Sequence, residues 1–182
     1  MIESVRGELL VAGPALAEPN FWRTVVLVVE HSEEGALGLV LNRPSHTTVG
    51  EAVPQLEPLV EPEEQLFVGG PVRPSAVLVL AEFEDPADAG LLAFDNVGVL
   101  GLEASPEEAP AGLRCARAFA GHAGWGAGQL DSELGRGDWM REPARREDAF
   151  SPAPAGLWSE VLTRKGGSYA LVARMPADPS LN

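Results

Sequence analysis

The chain has 182 residues and a formal net charge of -14, from 13 Lys+Arg against 27 Asp+Glu, with 45% hydrophobic residues and one cysteine. That length and apolar content predict one domain, residues 1–182, with a core of its own, and a single cysteine excludes an internal disulfide or a cysteine-rich zinc site. The net charge opposes broad binding to a polyanion, because each phosphate contact needs a Lys or Arg.

The charge is uneven. Residues 44–113 hold Arg73 as their one base and carry -12, against -3 over residues 1–43 and +1 over 114–182. The plain reading is a solvated acidic face; the sharper ones are a docking surface for a basic partner or repulsion of nucleic acid from one side. Glu3, Arg6 and Glu8 stand where a secretory signal would need an apolar run. The longest strongly apolar run, Val25 to Val29, is far short of the roughly 20 residues that span a bilayer. A soluble cytoplasmic protein is therefore expected.

In chain order, Gly7 to Ala12 predicts a short strand ended by Gly13-Pro14. Arg23 to Val29, rich in β-branched residues and without alternation, predicts a central strand covered on both faces. Ala36 to Asn42 returns after the polar loop Ser32-Glu33-Glu34-Gly35, as an antiparallel hairpin would. A short helix is expected between Thr48 and Leu59, cut down by Pro54. Leu66 to Val72 and Ala76 to Leu80 read as strands around a glycine turn, and Leu91 to Leu100 as two short strands around Asp95-Asn96.

Glu107 to Phe119 predicts a helix, after which four glycines in eight residues predict a turn with Trp125 packed across it. Gln129 to Leu134 reads as one or two helical turns stopped by Gly135, and Asp138 as an N-cap before Trp139. Leu157 to Leu162 predicts a short helix, Ser168 to Ala173 a closing strand, and Pro176 to Asn182 a flexible tail. These elements make a mixed α+β domain with a β-rich, largely antiparallel core and several short helices.

Tests for chemistry return little. His31, His46 and His122 have no metal-ligand spacing, so no metal and no cofactor are expected. Cys115 and His122 are the one Cys/His pair close in sequence, and on a helix seven residues separate them by about 10 Å. Gly124, Gly126 and Gly128 miss the dinucleotide spacing because Gln129 fills the third glycine position. Arg136, Arg141, Arg145 and Arg146 are interleaved with Glu142, Glu147 and Asp148, which argues against direct DNA binding.

Three blocks then stand together: Gly7-Glu8-Leu9-Leu10-Val11-Ala12 running on to Pro19-Asn20-Phe21-Trp22-Arg23-Thr24-Val25-Val26; Glu30-His31 with Gly35-Ala36-Leu37-Gly38-Leu39-Val40-Leu41-Asn42-Arg43-Pro44; and Gly121-His122-Ala123-Gly124-Trp125-Gly126-Ala127-Gly128-Gln129-Leu130-Asp131-Ser132-Glu133. With Phe67-Val68-Gly69-Gly70-Pro71-Val72 and Asp138-Trp139, they resemble the YqgE/AlgH (UPF0301) family over almost the whole chain. His122 departs from the Tyr usual there. The resemblance implies a single-domain bacterial cytoplasmic protein of mixed α+β fold. It also brings the family's label of transcriptional regulator, but no agreed catalytic residues.

The preferred reading is a non-enzymatic regulatory or interaction protein with no catalytic residues, any transcriptional effect being indirect. It would bind an unknown protein or small-molecule partner through the surface near His31, Asn42, Arg43, Trp125 and Gln129. The structural reading of those positions stays open beside it: Asn42 and Arg43 shape a turn, Trp125 is core and Gln129 caps a loop. The alternative is an enzyme or redox-responsive protein using Cys115 or His31 in a cleft.

Overall fold

A computed structural model describes residues 3–14, 16, 18–101 and 106–176. Strands β1 (Glu8–Ala12), β2 (Val25–Ser32) and β3 (Gly35–Val40) form an antiparallel run, with β10 (Trp139–Pro143) on the outer edge of β1. β2 is central, as its unbroken apolar run predicts. Val25, Leu27 and Val29 pack on one face with Leu9, Val11, Leu39 and Leu157, and Val26 and Val28 pack on the other with Leu10, Val40, Trp125 and Trp139. All five residues from Val25 to Val29 are fully buried. At about 1.5–3 kcal/mol per buried Val or Leu side chain, this strand is a main contributor to stability.

The chain then forms β4 (Pro44–Thr48), the one-turn helix α1 (Val49–Ala52), a 3-10 turn at Pro54–Leu56, and β5 (Gln65–Val68). The predicted helix is short because Thr48 caps it through Glu51 and Pro54 ends it. Next come β6 (Val72–Phe83), β7 (Leu91–Phe94) and β8 (Val97–Val99), the last two a hairpin turning on Asp95 at φ 44 and Asn96. Asn96 Nδ2 fixes that turn by donating to Phe83 O at 2.9 Å. The 14-residue β9 (Leu113–Gly126) joins the halves: its first part pairs with β6 and, in parallel, with β5, and its last part pairs with β3. The strand order is β10-β1-β2-β3-β9-β6-β8-β7, with β4 paired to β5. The sheet curls so that Ala93, Val97 and Val99 meet Leu9 and Leu27 in one core.

Two helices precede and follow β10: α2 (Gln129–Arg136), packed by Leu130 and Leu134 on the Trp125 face, and α3 (Arg146–Ala149). Then α4 (Leu157–Lys165) covers the opposite face with Leu157, Trp158, Val161 and Leu162, and α5 (Ser168–Val172) packs on α4. The domain is of the expected α+β class.

Five local expectations are corrected. Leu113 to Phe119 is strand, because Ala116, Ala118 and Ala120 face one core while Phe119 faces another, and pairing to β6 overrides the helical preference of an alanine-rich run. The glycine block continues that strand instead of turning. There Gly70, at φ 153, leaves room for the β9 backbone, and a Cβ on it would lie 2.2 Å from the His122 carbonyl carbon. Ser168 to Val172 is helix, reached through Gly166 and Gly167 at positive φ. α2 ends at Gly137 in the left-handed region, two residues beyond Gly135, and Trp139 opens a strand and not a helix. The predicted tail lies outside the described residues from 177 onward.

Among the described residues no helix is long and apolar enough to cross a membrane.

Candidate functional site

The residues singled out by sequence fall into two groups joined by one aromatic cluster. Asn42 and Arg43 follow β3 and hold the segment before β2. Asn42 Oδ1 accepts the Val25 N–H at 3.0 Å and its Nδ2 donates to Arg23 O at 2.9 Å. Arg43 donates to three backbone carbonyls, Asn20 at 2.6 Å, Trp22 at 3.1 Å and Pro19 at 3.2 Å. Burial lowers the Arg43 pKa below its ordinary value, with Glu18 opposing. Held by these bonds, the loop presents Phe21, whose ring stacks on Trp125 at 6.3 Å and meets Trp139 edge-on at 5.5 Å.

The second group lies where β9 passes into α2. The Trp125 and Trp139 indole N–H groups both donate to Glu133 Oε2, at 2.9 Å and 2.8 Å. Gln129 Nε2 donates to Glu133 Oε1 at 3.0 Å, and Gln129 Oε1 accepts the Gly126 N–H at 3.1 Å. Glu133 is thus the hub of this corner, and the sequence reading missed it. The signal was present: Gln129 and Glu133 are four apart on a segment read as helical, so they share a face beside two tryptophans.

His31, on β2, has its side chain 1% exposed. Its Nδ1 accepts the Val5 N–H at 3.2 Å, and its Nε2 lies 3.4 Å from Asp131 Oδ2 in the first turn of α2. A ring nitrogen that accepts a backbone N–H carries no proton itself, so the neutral ring holds its proton on Nε2, toward Asp131. The arrangement resembles a carboxylate-oriented imidazole, yet the nitrogen that a general base would use is occupied by the N-terminal segment. At the edge of this corner, a shallow cleft of about 300 Å³ opens beside Trp125, with Glu30, Ser32 and Glu34 on its wall.

Cys115 stands apart on β9, paired in register with Glu82 of β6. Burial pushes its thiol pKa up, against the pull of Arg146 and Arg117. On a strand the seven residues to His122 span about 23 Å, so that pair is further apart than the helical estimate and does no joint chemistry. His122 Nδ1 contacts its neighbour's carbonyl, Ala123 O, at 3.1 Å.

Of the four arginines that the sequence offers for a DNA contact, three are engaged in ion pairs and, among the described residues, Arg145 is not: Arg136 pairs with Asp138 at 2.7 Å, Arg141 with Glu8 at 2.8 Å and Arg146 with Glu82 at 2.6 Å, while Arg164, outside that cluster, pairs with Asp148 at 2.8 Å. Hydrogen bonds to these acids raise the pKa values of Arg141, Arg146 and Arg164. Among the described residues no group of three or more His, Cys, Asp or Glu side chains is placed to hold a metal ion.

Comparison with known proteins agrees with the fold and with the motif blocks. Residues 9–170 match the family model described as AlgH-like. A UPF0301 protein of Streptomyces coelicolor is 44% identical over 187 residues, covering 100% of this chain and 97% of that protein. A UPF0301 protein of Thermobifida fusca is 43% identical over 190 residues, with 98% and 96% covered. The crystal structure of protein DIP2367 from Corynebacterium diphtheriae superposes with a TM-score of 0.84 at 30% identity, covering 96% of this chain and 94% of that one. The solution structure of the AlgH protein of Pseudomonas aeruginosa gives 0.70 at 30% identity, covering 98% and 100%. The chain belongs to the AlgH-like, UPF0301 family.

Proposed function

We propose that this chain is a non-enzymatic interaction protein that binds a protein partner, and that any effect on transcription passes through that contact and not through DNA. The observation that carries the reading is how the motif residues are used. Asn42, Arg43, Gln129 and Glu133 spend polar atoms on backbone, on each other or on the Trp125 and Trp139 indoles, and His31 spends Nδ1 on Val5. Such groups build a rigid surface, whereas a catalytic centre needs a nucleophile or base free to meet substrate. A net charge of -14 likewise repels a polyanion, and Arg136, Arg141 and Arg146 are already paired with acids. The cleft beside Trp125 is the partner-facing part of this corner, rigid beneath and lined by Glu30 and Glu34.

The test is affinity capture from native cell extract with the wild-type chain and with Glu30→Lys/Glu34→Lys, alongside a DNA titration across salt concentrations. The reading expects a directly bound protein that the variant loses, and no sequence-specific DNA complex. A salt-dependent, sequence-specific DNA complex would overturn it.

A further inference from the structure

In the β6 and β9 half of the sheet, in a cluster separate from that of Trp125, the 3-10 turn Pro54–Leu56 and the strands beside it line a groove. One part, about 510 Å³, is floored by Val53, Leu56, Leu66, Val77 and Ala120. It adjoins a second hollow of about 650 Å³ walled by Pro54, Pro58 and Pro106, and the two share Gln55 and Pro106. Glu57 and Glu107, both exposed, border the second hollow. The groove lies within the most acidic part of the chain. Across residues 44–113 every described Asp and Glu is exposed except Glu82, and the lone base is Arg73.

We propose that this groove docks a basic, amphipathic segment of a partner protein, its apolar side on Val53, Leu66 and Val77 and its Lys or Arg side chains toward Glu57 and Glu107. Val53, Leu56 and Leu66 are 8–9% exposed, so the floor offers a narrow apolar strip that suits an occupant with apolar anchors. The acidic border selects the sign of the charges around those anchors, speeding encounter with cations and repelling anions. A second copy of this chain is a poor occupant, because two copies that each carry a net charge of -14 repel one another. The inference rests on the interaction-protein reading and assigns a surface separate from the Trp125 cleft.

The experiment titrates a fluorescent amphipathic Leu/Lys peptide, and its Leu/Glu analogue, against the wild-type chain, Glu57→Lys/Glu107→Lys and Glu30→Lys/Glu34→Lys. All four substitutions are at surface positions, and circular dichroism checks each fold. We expect the Lys peptide to bind the wild-type chain and to shift the amide resonances of Val53, Leu66, Val77 and Ala120. Reversing Glu57 and Glu107 weakens it roughly tenfold, as two lost attractions and two new repulsions imply. Reversing Glu30 and Glu34 leaves it unchanged, and the Glu analogue does not bind. Equal weakening in both variants, undiminished binding to Glu57→Lys/Glu107→Lys, no binding to the wild-type chain, or sedimentation showing two copies burying the groove would each overturn the proposal. The capture experiment at the Trp125 cleft keeps its own outcome in every case, so failure here is distinct from failure of the interaction reading.

Discussion

Trp125 and Trp139 share one hydrogen-bond acceptor: both indole N–H groups donate to Glu133 Oε2, and the two rings meet edge-on with centroids 6.2 Å apart. The last residues of β9, the middle of α2 and the start of β10 are thereby pinned to a single carboxylate. Glu133→Ala leaves two indole donors without their charged partner and should cost about 2–3 kcal/mol. Glu133→Gln keeps an acceptor oxygen and should cost less, about 1 kcal/mol. Urea denaturation followed by tryptophan fluorescence reads both, and equal stability of wild type and Glu133→Ala would refute the hub.

His31 is expected to hold its neutral-state proton on Nε2, because Nδ1 accepts from Val5. The ¹⁵N shifts of the imidazole report this directly. His31→Ala should free the buried Val5 N–H at a cost of about 1–3 kcal/mol and raise its exchange rate with solvent. Proton occupancy on Nδ1 in the neutral ring would contradict the account and reopen His31 as a base.

Burial raises the Cys115 pKa above its ordinary 9.0, so at a given pH the folded chain holds less thiolate than an unfolded one. Alkylation by iodoacetamide at pH 8 should run slower than for the denatured chain. The sign for stability follows: the folded state favours the protonated thiol, so its contribution is intact below pH 9.0 and is lost as pH rises through the folded value. Alkylation of the native chain as fast as of the denatured chain would revive the redox reading.

Two glycines with positive φ should respond differently. A Cβ at Gly70 would overlap His122 and Ala123 backbone atoms at 2.2–2.3 Å, whereas one at Gly137 meets nothing within 4 Å. Gly137→Ala should cost about 1–2 kcal/mol, the left-handed penalty alone. Gly70→Ala adds a backbone clash and should cost more than about 4 kcal/mol or prevent folding. Thermal unfolding of the pair compares them, and similar melting temperatures would show that the β6–β9 crossing is not as close as described.

The sequence made some of this legible and concealed the rest for physical reasons. The unbroken run Val25 to Val29 announced a central strand, the polar loop at Glu33-Glu34 a hairpin, and Asp95-Asn96 a break between two short strands, because those signals are local. Leu113 to Phe119 misled because its alanines suit a helix in isolation, and only pairing with β6 makes them strand. Ser168 to Val172 misled because five residues carry too little periodicity to separate strand from buried helix. Of the candidate site, Trp125 and Gln129 were visible through the glycine block. The joining of His31 to Val5 and of Glu133 to Trp139 depends on contacts 26 and 6 residues apart, which no spacing rule encodes.

We propose that the motif residues build a rigid surface for a protein partner, with His31 Nδ1, Asn42, Arg43, Gln129 and Glu133 engaged in hydrogen bonds within the protein. The most direct test is capture from nuclease-treated native extract, followed by purification of the captured protein and direct titration against the wild-type chain and Glu30→Lys/Glu34→Lys. The account predicts a direct complex that survives nuclease and weakens in the variant. A chain that captures its partners only while nucleic acid is intact would contradict it.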